Sequence, residues 1–219
     1  MRALVTGGTG RIGSATAARL ERDGWAVLAA GRPDGDVAKV DQARRLVQRA
    51  VDELDGLDLL VNAAGEGFES TPFEEVDEAG WDAAFGATAK GSFFVTQAAA
   101  PHLRSSRGCV VMIEDVAAYQ PWPSFAAHCA AKAAQAMLTR VLARALAPEV
   151  RVCGVAPGPV AVDAGQEDRR AAETLLGRVG TPEDVAAAVA YLAAAGFVTG
   201  STLIVDGGRL LQTERSAKT

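Results

Sequence analysis

The chain has 219 residues, of which 49% are hydrophobic and 22% charged, which is enough for one sizeable core but too short for two ordinary α/β domains. Its net charge of -5, with Lys and Arg scattered among acidic residues, provides no continuous basic track and argues against nucleic acid as a partner. No apolar stretch approaches the roughly 20 residues of a membrane span and no secretion signal is visible, so we expect no membrane partner.

The composition also limits metal and disulfide chemistry. Cys109, Cys129 and Cys153 are odd in number, show no CxxC spacing and lie in apolar surroundings. This pattern indicates buried reduced thiols and a reducing, cytoplasmic compartment. The two histidines, His102 and His128, have no second good ligand near them in sequence, so we expect no metal site.

In chain order, short β-branched or apolar runs alternate with longer Ala-rich helical patterns. The predicted strands cover residues 3–5, 26–29, 57–61, 109–113, 150–155 and 203–205. The predicted helices cover residues 12–23, 41–54, 78–103, 124–147 and 182–195. This alternation predicts a single doubly wound Rossmann-type α/β domain over residues 1–208, with about six mostly parallel strands and ligands bound at their carboxyl ends. Residues 209–219 are expected to form a polar C-terminal tail.

The first predicted strand runs directly into a glycine-rich turn, Thr6-Gly7-Gly8-Thr9-Gly10-Arg11-Ile12-Gly13, and a helical pattern follows. Glycines let such a turn approach a pyrophosphate, whose charge lies against the unpaired N–H groups of the helix. A glycine turn can also serve steric needs alone, but the strand before it and the helix after it favour a dinucleotide site. The predicted contacts are Gly7, Thr9, Gly10, Arg11, Ile12 and Gly13.

Arg32 follows the second predicted strand, where the residue that contacts the adenosine ribose lies in such folds. An acid at this place favours a free 2′-hydroxyl, whereas a guanidinium favours a 2′-phosphate. Arg11 can add a second guanidinium to the same phosphate. We therefore expect NADP(H) to be preferred over NAD(H); the alternative is that both arginines are ordinary surface charges.

From Ala3 to about Gly208 the chain resembles the short-chain dehydrogenase/reductase superfamily. Besides the glycine turn, the resemblance rests on Asn62-Ala63-Ala64-Gly65, on Pro157-Gly158 and on the C-terminal stretches 178–185 and 198–208. It implies that Asn62, Ala63, Ala64, Gly65, Pro157, Gly158 and Val160 contact the cofactor. Arginine at position 11 is similar to the pteridine reductase branch, which generally uses NADPH.

One departure from the family affects the architecture. Only Pro33-Asp34-Gly35 separates Arg32 from Asp36-Val37, whereas relatives have about twenty residues there and a parallel crossover needs about a dozen. We therefore expect the third strand and its crossover helix to be missing, which leaves the second strand at an edge of the sheet. The resemblance implies that Asp36 and Val37 still contact adenine.

The family's catalytic pattern places a Tyr and a Lys on one helix face, with a Ser before them and an Asn on the preceding long helix. Here Lys132 is in place, whereas the Tyr position is His128, the Ser position is Asp115 and the Asn position is Thr88. The resemblance implies that Lys132 bonds the ribose hydroxyls of nicotinamide. Asp115 is also similar to pteridine reductases.

His128 decides whether the chain is active. Imidazole is a competent acid and base near neutral pH, and Asp115 can orient it, but His is shorter than Tyr and the charge of Lys132 opposes protonation. Altered catalysis and dinucleotide binding without turnover, as a sensor or partner subunit, therefore both stay open. A third alternative is that the shortened adenosine side has lost the cofactor.

The leading hypothesis is an oxidoreductase that transfers hydride between NADP(H) and a small carbonyl or imine substrate, with His128 and Asp115 replacing Tyr and Ser. Tyr119 and Trp122 are predicted to line the substrate pocket, and Tyr119 is an alternative proton donor. Residues 160–176 correspond to the family's lid, or form a solvated helix. The predicted helices 78–103 and 124–147 are the pair through which relatives form homodimers and tetramers.

Overall fold

The computed structural model describes residues 1–65, 69–160 and 162–212 and contains one parallel six-stranded sheet. The strands are β1 (Arg2–Thr6), β2 (Ala26–Ala30), β3 (Leu59–Asn62), β4 (Cys109–Ile113), β5 (Arg151–Pro157) and β6 (Thr202–Val205). Their order across the sheet is β2-β1-β3-β4-β5-β6, and every neighbouring pair is parallel. The predicted doubly wound α/β fold is therefore confirmed.

Helices cover both faces of the sheet. They are α1 (Arg11–Arg22), α2 (Val40–Leu54), α3 (Glu78–Phe85), α4 (Ser92–Ser106), α5 (Ala126–Leu146), α6 (Glu167–Ala171) and α7 (Pro182–Ala194). One apolar core lies between the sheet and helices α2, α4 and α5, and the other lies between the sheet and helices α1 and α7. Because both faces are covered, the central strands β3 and β4 are buried along their whole length.

The short link after β2 forms no further strand. The chain makes a single 3-10 turn, Arg32–Asp34, and then enters α2 after a few residues. Asp34 fixes this turn because its carboxylate accepts the N–H of Gly31 at 2.9 Å and pairs with Arg49 at 3.0 Å. The absence of the third strand and its helix from this link, and the edge position of β2, agree with the prediction.

The stretch predicted as one helix over residues 78–103 is divided in the structure. α3 passes into a π-helical turn, Gly86–Gly91, before α4 begins. Gly91 lies against the chain at Val37, where a Cβ would come within 3.0 Å of the valine side chain. π turns are uncommon and are found frequently at functional sites, and this one contains Thr88.

The segments after β5 and β6 pack beside each other. The region of the expected lid carries only the short, exposed helix α6, and its residue Ala161 lies outside the described residues. After β6, a 3-10 turn covers Arg209–Leu211, while residues 213–219 of the expected tail lie outside the described part of the chain.

None of the described helices is long and apolar enough to cross a bilayer.

Candidate active site

A cleft of about 210 Å³ opens at the carboxyl ends of β1, β2 and β3. This is the edge at which doubly wound sheets bind ligands. Nine of the predicted cofactor residues line it: Gly7, Thr9, Gly10, Arg32, Asp36, Val37, Ala63, Ala64 and Gly65. Arg32 and Asp36 are the charged members of this lining.

The floor of the cleft is backbone because its glycines leave no room for side chains. Gly7 has a φ of +66°, and a Cβ there would lie 2.5 Å from the carbonyl oxygen of Ala63. A Cβ on Gly13 would overlap the carbonyl of Gly7, so glycine lets the first turn of α1 rest directly on the glycine turn. α1 begins at Arg11 and therefore presents its N-terminal N–H groups to the cleft, an arrangement that fits a pyrophosphate.

The adenosine end of the cleft carries Arg32, Asp36 and buried Val37. The Asp36 carboxylate accepts a hydrogen bond from the N–H of Ala38 at 3.0 Å. The backbone N–H of Asp36 donates to Oε1 of Gln42 at 2.8 Å. Arg11 lies beside the cleft rather than in its lining, with Nη2 3.0 Å from Asp163 of the expected lid. The exposed guanidinium of Arg11 thus connects the glycine turn to the segment after β5.

Other residues predicted to contact the cofactor lie around this cleft. Buried Asn62 donates to Thr96 at 3.0 Å and thereby joins β3 to α4. Ile12 is half-buried against the core under α1. Pro157 ends β5, Gly158 packs closely against Asp206, and Val160 bridges to Gly180; these three lie outside the lining of the cleft.

The structure brings His128 and Asp115 together. Nε2 of His128, in the first turn of α5, lies 3.5 Å from Oδ2 of Asp115. The other Asp115 oxygen accepts the N–H of Ala117 at 2.7 Å, which fixes the carboxylate at the end of β4. The side chains of His128 and Asp115 are only 13% and 26% exposed, so the pair is largely shielded from water.

Lys132 lies one helical turn beyond His128 and is buried. Its Nζ donates to the carbonyl of Ile113 at 2.8 Å and to Oε1 of Gln135 at 3.1 Å. An ammonium has three N–H donors, so one is left after these two bonds. Burial lowers the pKa of Lys132, while the negative charges of Asp115 and Glu114 oppose that shift.

Gln135 extends this chain of contacts to the neighbouring helix. Its Nε2 donates to Oγ of Ser92 at 2.8 Å, at the start of α4, and both side chains are buried. Sequence reasoning did not identify Gln135. The available signal was the spacing of His128, Lys132, Gln135 and Thr139, which places four polar residues on one face of an otherwise Ala-rich helix.

Thr88, at the family's Asn position, is buried in the π turn. Its hydroxyl oxygen is 3.8 Å from where a Cβ on Gly65 would lie. The π turn therefore faces the loop that follows β3. Thr88 and the His128–Asp115 pair are placed by separate elements, the π turn on one side and the ends of β4 and α5 on the other.

A second buried carboxylate, Glu114, lies next to Asp115 and was not identified from the sequence. Glu114 is 2% exposed. Its carboxylate accepts hydrogen bonds from the hydroxyl groups of Thr139 at 2.6 Å, Thr202 at 3.3 Å and Tyr119 at 3.2 Å. These donors come from α5, β6 and the loop after β4, so Glu114 joins three elements. Burial raises the pKa of Tyr119, and its hydroxyl is directed to Glu114.

Gly154 makes room for the Glu114 carboxylate. A Cβ at position 154 would overlap Oε1 of Glu114 and lie 2.9 Å from Oγ1 of Thr202. We expect Gly154→Ala to lower the free energy of unfolding by about 2 kcal/mol, as overpacking of a filled core does. Denaturant titration measures this change, with Gly196→Ala as the control because a Cβ at Gly196 meets no atom within 4 Å. Equal stability of the two variants would contradict the assignment.

Trp122 contacts both Phe125 and Arg209. The Trp122 ring contacts Phe125 edge to face at 6.1 Å, and the guanidinium of Arg209 lies over the same ring at 5.0 Å. Trp122 lies in the loop between β4 and α5. Among residues 1–65, 69–160 and 162–212, no group of three or more His, Cys, Asp or Glu side chains is placed to hold a metal ion.

Comparison with known proteins gives consistent matches along the chain. The family model described as enoyl-(acyl carrier protein) reductase matches residues 30–209. The 3β-hydroxysteroid dehydrogenase 1 of Eggerthella lenta is 34% identical, over 95% of this chain and 93% of that protein.

Two solved structures show the same architecture. A short-chain dehydrogenase/reductase from Serratia marcescens superposes with a TM-score of 0.87 at 31% identity, covering 94% of this chain and 96% of that chain. The aldohexose dehydrogenase of Thermoplasma acidophilum gives a TM-score of 0.90 at 25% identity, covering 99% and 96%.

Proposed function

The chain belongs to the short-chain dehydrogenase/reductase superfamily of NAD(P)(H)-binding oxidoreductases, and we propose that it transfers hydride between NADP(H) and a small carbonyl or imine substrate. The observation that carries this proposal is the His128–Asp115 pair at 3.5 Å, one helical turn from Lys132. A titratable imidazole therefore stands where relatives have Tyr, with a carboxylate to orient it.

The preference for NADP(H) is supported by Arg32. It lines the adenosine end of the cleft, whereas Asp34, the nearest acid in sequence, is already bonded to the N–H of Gly31 and to Arg49. A guanidinium at this position favours the 2′-phosphate that distinguishes NADP(H) from NAD(H). Arg11, paired with exposed Asp163, can turn to the same phosphate because both side chains are in solvent.

Each residue of the site has a proposed role. The nicotinamide, when bound, supplies or accepts the hydride. Lys132 uses its third N–H to hold a ribose hydroxyl, and Gln135 keeps the ammonium in place. His128 holds the transferable proton at Nε2; because 3.5 Å is longer than a hydrogen bond, Asp115 stabilises that proton without locking it away from the substrate oxygen.

A second candidate function is dinucleotide binding without turnover. It is favoured by the same contacts of Lys132, since the ammonium is satisfied twice by the protein and burial lowers its pKa. In that case the chain acts as a sensor or partner subunit, and His128 is a tolerated replacement of the family's Tyr.

The two candidates are separated by NADPH oxidation measured with a panel of ketones, quinones and pterins. We expect the wild type to turn over at least one of them, and His128→Ala to lower kcat about 100-fold or more because the proton donor is lost. His102→Ala is the matched control, since His102 lies on α4 among the residues outside the cleft. A silent wild type with an active His128→Tyr variant would instead support binding without turnover.

The exposed side chains of α5 and the buried thiols bear on assembly and compartment. We propose a homodimer or tetramer formed through α4 and α5, because Met137 and Val141 are exposed on the outer side of α5. We also propose a cytoplasmic location, because Cys109 and Cys153 are buried free thiols.

A further inference from the structure

Arg209 is a largely buried cation that the hydride-transfer scheme does not use. It follows β6 in a segment predicted as a polar tail, yet its side chain is only 15% exposed. Nε donates to Oε1 of Gln120 at 3.3 Å, Nη1 pairs with Glu173, and the guanidinium lies over the Trp122 ring. The side chain therefore contacts both the loop after β4 and the segment after α6.

A second guanidinium shares the carboxylate of Glu173. Nη1 of Arg170 lies 3.1 Å from the same Glu173 oxygen that pairs with Arg209. Two cations thus face one carboxylate. Burial lowers the pKa of Arg209, and the charge of Arg170 lowers it further, whereas Glu173, Asp115 and Asp206 act in the opposite direction.

The Nη2 group of Arg209 has no hydrogen-bond acceptor among the residues of the described ranges. The two carboxylate oxygens of Asp206 are directed instead to the backbone, where they accept the N–H groups of Gly208 and Leu210 at 2.7 Å and 2.8 Å. Gln120 and Trp122, which Arg209 contacts, lie in the loop between Asp115 and His128, and their carbonyls accept hydrogen bonds from the thiol of Cys129, the residue after His128. An unused, partly enclosed donor at this place is suited to a substrate oxygen.

We propose that Arg209 binds a carboxylate of the substrate, so that the reaction acts on oxo acids, that is, ketones or aldehydes that carry a carboxylate. This inference rests on the proposed function. A guanidinium offers parallel N–H donors that match the two oxygens of a carboxylate. The contact with the Trp122 ring helps to hold the guanidinium in place, and Glu173 acts as an internal carboxylate that competes with the substrate.

The experiment compares two acids, 4-oxopentanoate and 3-acetylbenzoate, with their neutral methyl esters. Binding is measured by calorimetry with and without NADP⁺, and turnover is measured by NADPH oxidation. We expect Arg209→Met to weaken binding of the preferred acid at least about tenfold and to leave the ester within about twofold, because only the acid loses a charge-assisted contact. Arg209→Lys keeps the charge and serves as the variant that preserves packing.

Glu173→Gln provides the sharper test because its expected effect has the opposite sign. Removing the competing carboxylate is expected to tighten binding of the acid about threefold or more, which damage to the fold cannot do. Arg169→Met controls for the removal of a nearby charge, since Arg169 is an exposed arginine on α6, the helix just before Glu173, and contacts only Gln166 among the hydrogen bonds of the described residues.

The outcomes separate this inference from the proposed function. If the wild type binds acid and ester equally, or binds neither, or if Arg209→Met weakens both alike, Arg209 does not bind a substrate carboxylate. If the acid binds selectively through Arg209 but NADPH oxidation is absent, the carboxylate site stands and hydride transfer fails. Selective binding with selective turnover of the acid supports both.

Discussion

Gly13→Ala is expected to weaken NADPH binding at least about 100-fold, because the helix N-terminus that fits the pyrophosphate is displaced. The added Cβ would overlap the carbonyl of Gly7 and come within 3.0 Å of the Cα of Gly8, and neither backbone group can rotate away. The first turn of α1 must therefore move off the glycine turn. Its N–H groups then no longer converge on the place where a pyrophosphate fits.

Fluorescence titration with NADPH measures this loss, and the thermal midpoint of each variant shows whether the fold survives. Gly196→Ala is the control, because it makes the same chemical change where no atom lies within 4 Å. It should leave the dissociation constant within about twofold. Unchanged NADPH affinity in Gly13→Ala would mean that the cleft at β1 is not the cofactor site.

The fold could be predicted from the sequence because its signals are local. Short β-branched or apolar runs that alternate with Ala-rich helical patterns placed all six strands, and the three residues Pro33-Asp34-Gly35 were too few for a crossover, which correctly predicted β2 at the edge. The division of the predicted helix 78–103 was not foreseen. Its π turn depends on the close approach of Gly91 to Val37, a contact between distant parts of the chain.

In the candidate site, too, contacts between distant parts of the chain could not be predicted from the sequence. Counting along the family pattern found Lys132, His128 and Asp115, and the structure places the last two 3.5 Å apart. Glu114 was missed because a buried carboxylate needs hydrogen-bond donors, and the hydroxyl donors of Glu114 lie 5, 25 and 88 residues away. No sequence pattern of nearby residues predicts such a set.

The burial of Arg209 was not predicted, for a related reason. In sequence it opens a polar stretch, and charged residues near a chain end are usually exposed. Its burial depends on Trp122 and Glu173, which meet it only after β6 has been placed beside β5. Sequence-based reasoning therefore predicted the residues that line the cleft at β1, β2 and β3 better than it predicted the contacts of Arg209.

Replacing Lys132 by Met is expected to lower kcat/KM for NADPH-dependent reduction about 1000-fold, as the loss of a preorganised charge at a reacting centre does. The third N–H of Lys132 is the donor proposed for the ribose hydroxyl, and Met keeps the length of the side chain without any donor. Lys90→Met is the matched control, because Lys90 is exposed on the π turn.

Stability distinguishes a catalytic role of Lys132 from a structural one. Met removes a buried charge, which favours folding, but leaves the carbonyl of Ile113 and the amide of Gln135 without their donor. These effects oppose each other, so we expect the free energy of unfolding to change by no more than about 2 kcal/mol.

Gln135→Met completes the comparison, since it keeps Lys132 and removes only the amide that positions it. A loss of about tenfold in kcat/KM is expected there, with the pH profile unchanged in shape. If Lys132→Met loses activity only in proportion to the unfolded fraction, and no more than Gln135→Met does, Lys132 is a structural residue. In that case, other residues of the site would have to hold the ribose hydroxyls of the cofactor.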